Sequence, residues 1–216
     1  MKTLLLFIVF LLILLLQADE TAAGNPYVDD VLLKRITVKY KQHAQKRFEN
    51  LQTILDRVKN GDDVKKLSAV NRFYNSVRYG SDMEIYGVKN YWATPWEFLG
   101  RNRGDCEDYV IAKYYALLYI GVDSGKLFFT YVRSRNSKIP HMVLTYFKTP
   151  RSEPLVLDNN SKRVIPASKR TDLTPIYYFN GDTLYKARDD SIGHKIDYRS
   201  HKEWEILQDN MKRKKI

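Results

Sequence analysis

The chain has 216 residues, and its 36 lysines and arginines outnumber 25 aspartates and glutamates, which gives a net charge of +11. This length can bury one good core and requires no second domain. No nucleic-acid-binding motif accompanies the positive charge, which excludes nucleic acid as the expected partner. The charge favours an acidic protein or an anionic membrane surface as partner instead, or it simply forms a solvated basic surface.

Residues 1–23 have the organisation of an export signal. A short basic start is followed by an unbroken apolar run over residues 4–16, and then by polar residues with small alanines. Because this run is shorter than the roughly 20 residues that span a bilayer, a signal peptide cleaved after Ala18 or Ala23 is favoured over a retained anchor. Residues 24–216 would then form a single domain that works outside the cytoplasm.

Two amphipathic helices are predicted in the first third of this domain. Apolar residues spaced by three and four predict a helix over residues 40–58, which ends at Asn60-Gly61. A second helix is expected to begin at a cap formed by Asp62 or Asp63. Both helices are most simply interpreted as covers for the core.

An ordered loop is predicted over residues 80–104. The helical periodicity is lost there, and aromatic residues, glycine and proline are frequent. The two tryptophans of the loop, Trp92 and Trp96, are individually typical of core residues. A substrate cleft or a docking face would have the same composition.

The only cysteine of the chain, Cys106, stands at the predicted start of a helix that ends at Gly121. Asp105 is the expected N-cap, and Asp108 completes a weak variant of the capping box. The positive end of the helix dipole favours the thiolate over the thiol at such a position. A lone thiol in an exported protein is either buried or used, and this position favours use as a nucleophile.

Three strands are predicted after this helix, over residues 127–133, 141–148 and 154–158. The connecting loops are short enough for antiparallel neighbours, so His141 at the start of one strand is expected across from Asp158 at the end of the next. Alternation places His141 and Val143 on one face, and a helix packed on that face would bring Cys106 to His141.

Beyond these strands, a hairpin and a last helix complete the predicted domain. Residues 176–179 and 183–185 flank Asn180-Gly181-Asp182, which is typical of a hairpin turn. Apolar residues around Trp204 indicate a terminal helix. No internal repeat or low-complexity linker divides the chain.

Cys106, His141 and Asp158 are the residue types of a cysteine protease: a thiolate, an imidazole that exchanges its proton, and a group that orients the imidazole. Taken singly, His141 is also typical of a strand edge and Asp158 of a turn. Together with a cysteine at the start of a helix, they favour a catalytic site.

Several separate motifs resemble, in the same order, those of the bacterial transglutaminase-like cysteine proteinases. They are Gly104-Asp105-Cys106-Glu107-Asp108-Tyr109, His141-Met142-Val143-Leu144, Pro154-Leu155-Val156-Leu157-Asp158-Asn159 and Asp172-Leu173-Thr174-Pro175. The resemblance implies an α+β fold of papain-like or transglutaminase-like type, with helices packed on an antiparallel sheet and the nucleophile at a helix N-terminus. It implies that Cys106 is the nucleophile, His141 the general base and acid, and Asp158 its orienter.

The resemblance also implies Ca²⁺ dependence, with Asp105, Glu107 and Asp108 as metal ligands. Several carboxylate oxygens are what this hard cation prefers, although helix capping would use the same residues. The backbone of Cys106 would supply one donor of an oxyanion hole, and Trp92 is a candidate for the second.

The substrate implied by the family is a large surface adhesin, which a periplasmic endopeptidase cuts at a di-alanine site to release it and control biofilm attachment. Trp96 matches a family position that docks a LapD-type inner-membrane receptor, which sequesters the protease when it is loaded with cyclic di-GMP.

Two alternative functions remain open from the sequence. A transglutaminase uses the same three groups to transfer the acyl group to an amine instead of water. A non-catalytic binding module with the same fold would use the loop around Trp92 and Trp96 for a partner, although an intact set of Cys106, His141 and Asp158 argues against it.

Overall fold

The computed structural model describes residues 25–135, 140–181, 183–188, 191–196 and 202–216. The predicted export signal, with its cleavage points after Ala18 and Ala23, lies outside the described residues. Across the described part of the chain, no helix is both long enough and apolar enough to cross a membrane.

The two predicted amphipathic helices are present, but the first begins before its predicted start. Helix α1 runs over Asp30–Val58 and changes direction at Lys41, which has a φ of 68°. The predicted start at residue 40 therefore marks the second part of a longer, kinked helix. Helix α2 runs over Asp63–Tyr74, and the side chain of Asp62 caps it by accepting a hydrogen bond from the Lys65 backbone N–H.

The segment predicted as a loop contains two short helices, α3 (Asp82–Tyr86) and α4 (Pro95–Arg101). Strands β1 (Arg78–Tyr79) and β2 (Arg103–Gly104) flank them and pair in parallel. The prediction of a loop was wrong because helices of five and seven residues are too short to show an apolar stripe. Their starts carry local signals: Ser81 and Glu84, and Thr94 and Glu97, form capping boxes.

The helix that begins with the cysteine, α5 (Cys106–Tyr119), is the centre of the fold. It packs against α2 and α4 on one side and against the sheet on the other, and most of its residues are buried all round. Gly121 ends it with a φ of 79°, as expected for a glycine after a helix. Asp105 holds the N-cap position, but its side chain makes no capping hydrogen bond.

A seven-stranded antiparallel sheet covers α5 in the order β6-β5-β4-β3-β7-β8-β9. The strands are β3 (Leu127–Ser134), β4 (His141–Tyr146), β5 (Leu155–Leu157), β6 (Ile165–Pro166), β7 (Leu173–Asn180), β8 (Thr183–Arg188) and β9 (Ser191–Ile196). The three predicted strands and the hairpin are confirmed, and Asn180 pairs with Thr183 at the hairpin. The terminal helix α6 (Lys202–Lys212) is also confirmed, and Trp204 packs edge-on against Phe179.

The face of β4 that packs on α5 is opposite to the predicted one. Met142, Leu144 and Tyr146 belong to the main core with α5, whereas Val143 and Phe147 lie in two small clusters on the other face of the sheet. The alternation could not decide the face because all residues of β4 are buried.

Candidate active site

The predicted site residues lie at the termini of one helix and two strands. Cys106 is the first residue of α5, His141 is the first of β4, and Asp158 directly follows β5. Cys106 and His141 both line a cleft of about 550 Å³, together with Tyr79 and Asn160. Cys106 therefore enters the cleft that His141 lines from the N-terminal end of α5, and not from a shared face of the sheet.

The imidazole of His141 is held by Asp158. Its Nε2 lies 2.9 Å from Asp158 Oδ1, and because an ionised carboxylate only accepts, Nε2 carries the hydrogen and Nδ1 stays basic. The register that pairs Leu144 with Leu157 brings the end of β5 to the start of β4. Burial raises the pKa of the Asp158 carboxyl, but hydrogen bonds, first that from His141, outweigh burial and hold the pKa well below its usual range.

Arg170 and Asn75, to which the sequence assigns no role, also bind Asp158. Arg170 Nη2 donates to Asp158 Oδ2 at 2.7 Å and also binds Asp172. Asn75 at the end of α2 donates from Nδ2 to the backbone carbonyl of Asp158 at 2.7 Å. Asp172 belongs to one of the family motifs, and the arginine two residues before it is the feature of the sequence that could have pointed to Arg170.

The pKa of the Cys106 thiol is raised in this arrangement, contrary to the expectation from its helix position. Its Sγ donates to Glu107 Oε2 at 2.7 Å. Burial, and then the charge and hydrogen bond of Glu107 and the charge of Asp105, raise the pKa of the thiol, whereas a hydrogen bond with the Met142 backbone lowers it. The helix dipole contributes only about 0.3–1 kcal/mol, so desolvation and two neighbouring carboxylates outweigh it.

A cluster of three aspartates lies next to the thiol. Asp82, Asp105 and Asp108 each offer one carboxylate oxygen, and the three oxygens lie within 4.8 Å of one another. Asp105 and Asp108 were predicted as metal ligands, but Asp82 was not, because α3 carries it there from a distant part of the sequence. Glu107, the third predicted ligand, lies beside this cluster with one oxygen on the Cys106 thiol.

The cluster has the donors that a hard cation requires. One oxygen of Asp82 and one of Asp108 accept backbone N–H groups, at 2.6 Å from Tyr91 and 2.9 Å from Ala93. The other oxygens, Asp82 Oδ1 and Asp108 Oδ2, are buried without a hydrogen-bond partner, as is Asp105 Oδ1. These three oxygens fit the first part of a Ca²⁺ shell.

The raised pKa values of these three carboxyl groups show that their charged forms are disfavoured in the cluster. Burial, and then the charges of Glu107 and Asp108, raise the pKa of Asp105 to about 9. Burial likewise raises the pKa of Asp108 and of Asp82, with repulsion between the carboxylates adding to it. The charged form of the cluster therefore requires a compensating positive charge.

Trp92 and Trp96 are both part of the main core. The Trp92 ring stacks on that of Phe129, with 6.4 Å between the centroids. Trp96 is 8% exposed, which leaves little of its surface for a partner. The oxyanion role of Trp92 and the docking role of Trp96 remain predictions.

The comparisons with known proteins agree with this geometry. A family model described as bacterial transglutaminase-like cysteine proteinase matches residues 36–179. No curated protein sequence matches the chain.

Among solved structures, EGTA-treated LapG of Legionella pneumophila is similar with a TM-score of 0.73 and 35% identity, over 86% of this chain and 99% of that one. Calcium-bound LapG of the same organism is similar with a TM-score of 0.71 and 35% identity, over 83% of this chain and 97% of that one.

Proposed function

Because this chain belongs to the bacterial transglutaminase-like cysteine proteinases, we propose that it is a calcium-dependent cysteine endopeptidase with Cys106 as its nucleophile. The observation that carries the proposal is the hydrogen bond of 2.9 Å between His141 Nε2 and Asp158 Oδ1. This bond leaves Nδ1 of the imidazole as a base in the cleft that Cys106 lines.

The reaction follows from the roles of these three side chains. Nδ1 of His141 takes the proton of the Cys106 thiol, and the thiolate attacks the scissile carbonyl carbon. The imidazolium, stabilised by the Asp158 carboxylate, then gives this proton to the departing amine, and a thioester forms. Water, deprotonated by His141, attacks the thioester and releases the carboxylic acid product and the free thiol.

Asp82, Asp105 and Asp108 are the residues that would hold Ca²⁺. The bound cation supplies positive charge beside the thiol, where the carboxylates otherwise raise the Cys106 pKa. The Asp108 side chain itself ties the first turn of α5 to the loop before α4, because it accepts a hydrogen bond from the Ala93 backbone N–H. The similarity to a chain solved as calcium-bound LapG supports this assignment.

The substrate, location and partner of the enzyme are proposed from the resemblance to the family. The substrate is a large surface adhesin, cut at a di-alanine site in the periplasm, and its release controls biofilm attachment. A LapD-type receptor loaded with cyclic di-GMP sequesters the protease through the region of Trp96. Cell fractionation and pull-down by the receptor, with Trp96→Phe as the comparison, test the location and the partner.

Product analysis of a di-alanine peptide tests the proposed reaction. We expect mass spectrometry to find cleavage between the alanines with the wild-type protein, and none with Cys106→Ala or His141→Gln. A labelled primary amine in the same mixture distinguishes hydrolysis from acyl transfer, because a transferase would place the label on the new carboxyl end. Cleavage by the Cys106→Ala variant would refute the nucleophile.

A further inference from the structure

Arg170 connects the orienting carboxylate of the site to a second carboxylate. Its Nη2 donates to Asp158 Oδ2 at 2.7 Å and to Asp172 Oδ2 at 2.8 Å, and its Nε donates to Asp172 Oδ1 at 2.9 Å. The Arg170 side chain is 10% exposed and that of Asp158 is 0% exposed. This ion pair is therefore shielded from water, unlike most surface pairs.

The contacts of Asp158 are divided between its two oxygens. Oδ1 lies 2.9 Å from His141 Nε2 and accepts from the Asn160 backbone N–H at 2.9 Å. Oδ2 accepts from Arg170. A carboxylate bonded at both oxygens cannot turn about its Cβ–Cγ bond without losing a contact, so Oδ1 stays on the histidine.

We propose that Arg170, clamped by Asp172, is a positioning residue that fixes the Asp158 carboxylate and thereby keeps His141 in the tautomer with a free Nδ1. The effect of Arg170 on catalysis rests on the proposed function, whereas its effect on the His141 tautomer does not. The hydrogen bonds of the Arg170 guanidinium go to Asp158 and Asp172, so it acts on His141 through Asp158.

Asp172 explains how Arg170 can orient the Asp158 carboxylate without neutralising its charge. Asp172 binds Arg170 through two hydrogen bonds, so the pair has little net charge and Asp158 remains available to an imidazolium. A planar guanidinium can serve both carboxylates at once, whereas the point charge of a lysine cannot reproduce the fork. Lys113 is the other buried cation whose charge attracts Asp158, but its Nζ has no hydrogen-bond partner and cannot fix an orientation.

The tautomer of His141 is the direct test, because ¹⁵N NMR distinguishes a protonated ring nitrogen from a bare one. The Cys106→Ala protein is used at a pH above which the ¹⁵N signals of His141 no longer change with pH. His141→Gln assigns the signal. We expect Nε2 to carry the hydrogen in this parent and Arg170→Gln to raise the share of the Nδ1–H tautomer.

The matched variants separate positioning from general loss of structure. Arg163→Gln replaces an exposed arginine of the same segment and should leave the tautomer unchanged. Arg170→Lys, which keeps the charge but not the fork, and Asp172→Asn, which removes the clamp, should give intermediate shifts. A parent-like His141 spectrum in a folded Arg170→Gln protein overturns the proposal. If that variant does not fold, parent-like spectra of both Arg170→Lys and Asp172→Asn overturn it.

Kinetics with the active chain give the second readout. In the presence of calcium, we expect Arg170→Gln to lower kcat for the di-alanine peptide by about 10- to 100-fold, as for other lost partners of an orienting group, with KM unchanged. A loss confined to KM would contradict positioning. If the wild-type chain does not cleave the peptide, the proposed function fails, and the NMR comparison still decides the role of Arg170.

Discussion

Replacing Lys113 with methionine should stabilise the protein, because this lysine places an amine in the core without a partner. Lys113 lies in the middle of α5 and is 0% exposed. Its Nζ has no hydrogen-bond partner and lies 5.7 Å from the centroid of the Tyr109 ring. Methionine has a similar length and no polar atom to desolvate.

The size of the effect follows from the pKa of Lys113. Burial lowers this pKa from 10.5 to about 7, although attraction by Asp158 opposes the shift. The unfolded chain therefore binds a proton over this pH range that the folded chain does not, so stability rises with pH from about 7 to 10.5. At 1.36 kcal/mol per pKa unit, the full cost below the folded pKa is roughly 5 kcal/mol. This net cost already includes the attraction by Asp158, so we expect Lys113→Met to gain up to roughly 5 kcal/mol at low pH.

Urea unfolding of the wild-type and Lys113→Met proteins between about pH 6 and pH 10 measures this difference. The gain in the free energy of unfolding should be largest near pH 6 and should shrink as the pH approaches 10. Lys46→Met, on the exposed side of α1, is the control and should show no such pH dependence. A gain that is constant with pH, or a loss at every pH, would refute the argument that an uncompensated ammonium is buried here.

Two further substitutions test the acidic residues around the thiol. Asp82→Asn should weaken calcium binding at least about tenfold in calorimetry, equivalent to about 1.4 kcal/mol, whereas Glu84→Gln on the same helix should not; equal affinities would remove Asp82 from the metal site. Glu107→Gln should lower the pKa of Cys106, because it replaces the negatively charged acceptor of the thiol hydrogen bond with a neutral amide. At fixed pH and with a chelator present, iodoacetamide should then alkylate the thiol faster, and an unchanged rate would contradict the role given to Glu107.

The parts of the fold that could be predicted are those with local signals. The start of α5 at Cys106, its end at Gly121 and the three central strands follow from capping residues, glycine and runs of β-forming residues. The pairing of His141 with Asp158 followed from short loops and antiparallel order. These features depend on neighbours in the sequence, which a single chain displays.

The parts that could not be predicted depend on residues that meet only after folding. Asp82 joins the acidic cluster because α3 carries it there, and Arg170 reaches Asp158 from beyond strand β6. The pKa of Cys106 was expected to fall with the helix dipole, but burial and carboxylates brought to it by the fold raise it. The face of β4 was unpredictable because both faces are buried.

The most direct test of the account is the initial rate at which the wild-type chain cleaves an adhesin fragment with a di-alanine site, measured with calcium, with EGTA, and after calcium is restored. We expect cleavage with calcium, loss in EGTA and recovery on restoration, with no cleavage by Cys106→Ala under any condition. Cleavage that is indifferent to EGTA would contradict the role of Asp82, Asp105 and Asp108, and cleavage by Cys106→Ala would contradict the nucleophile.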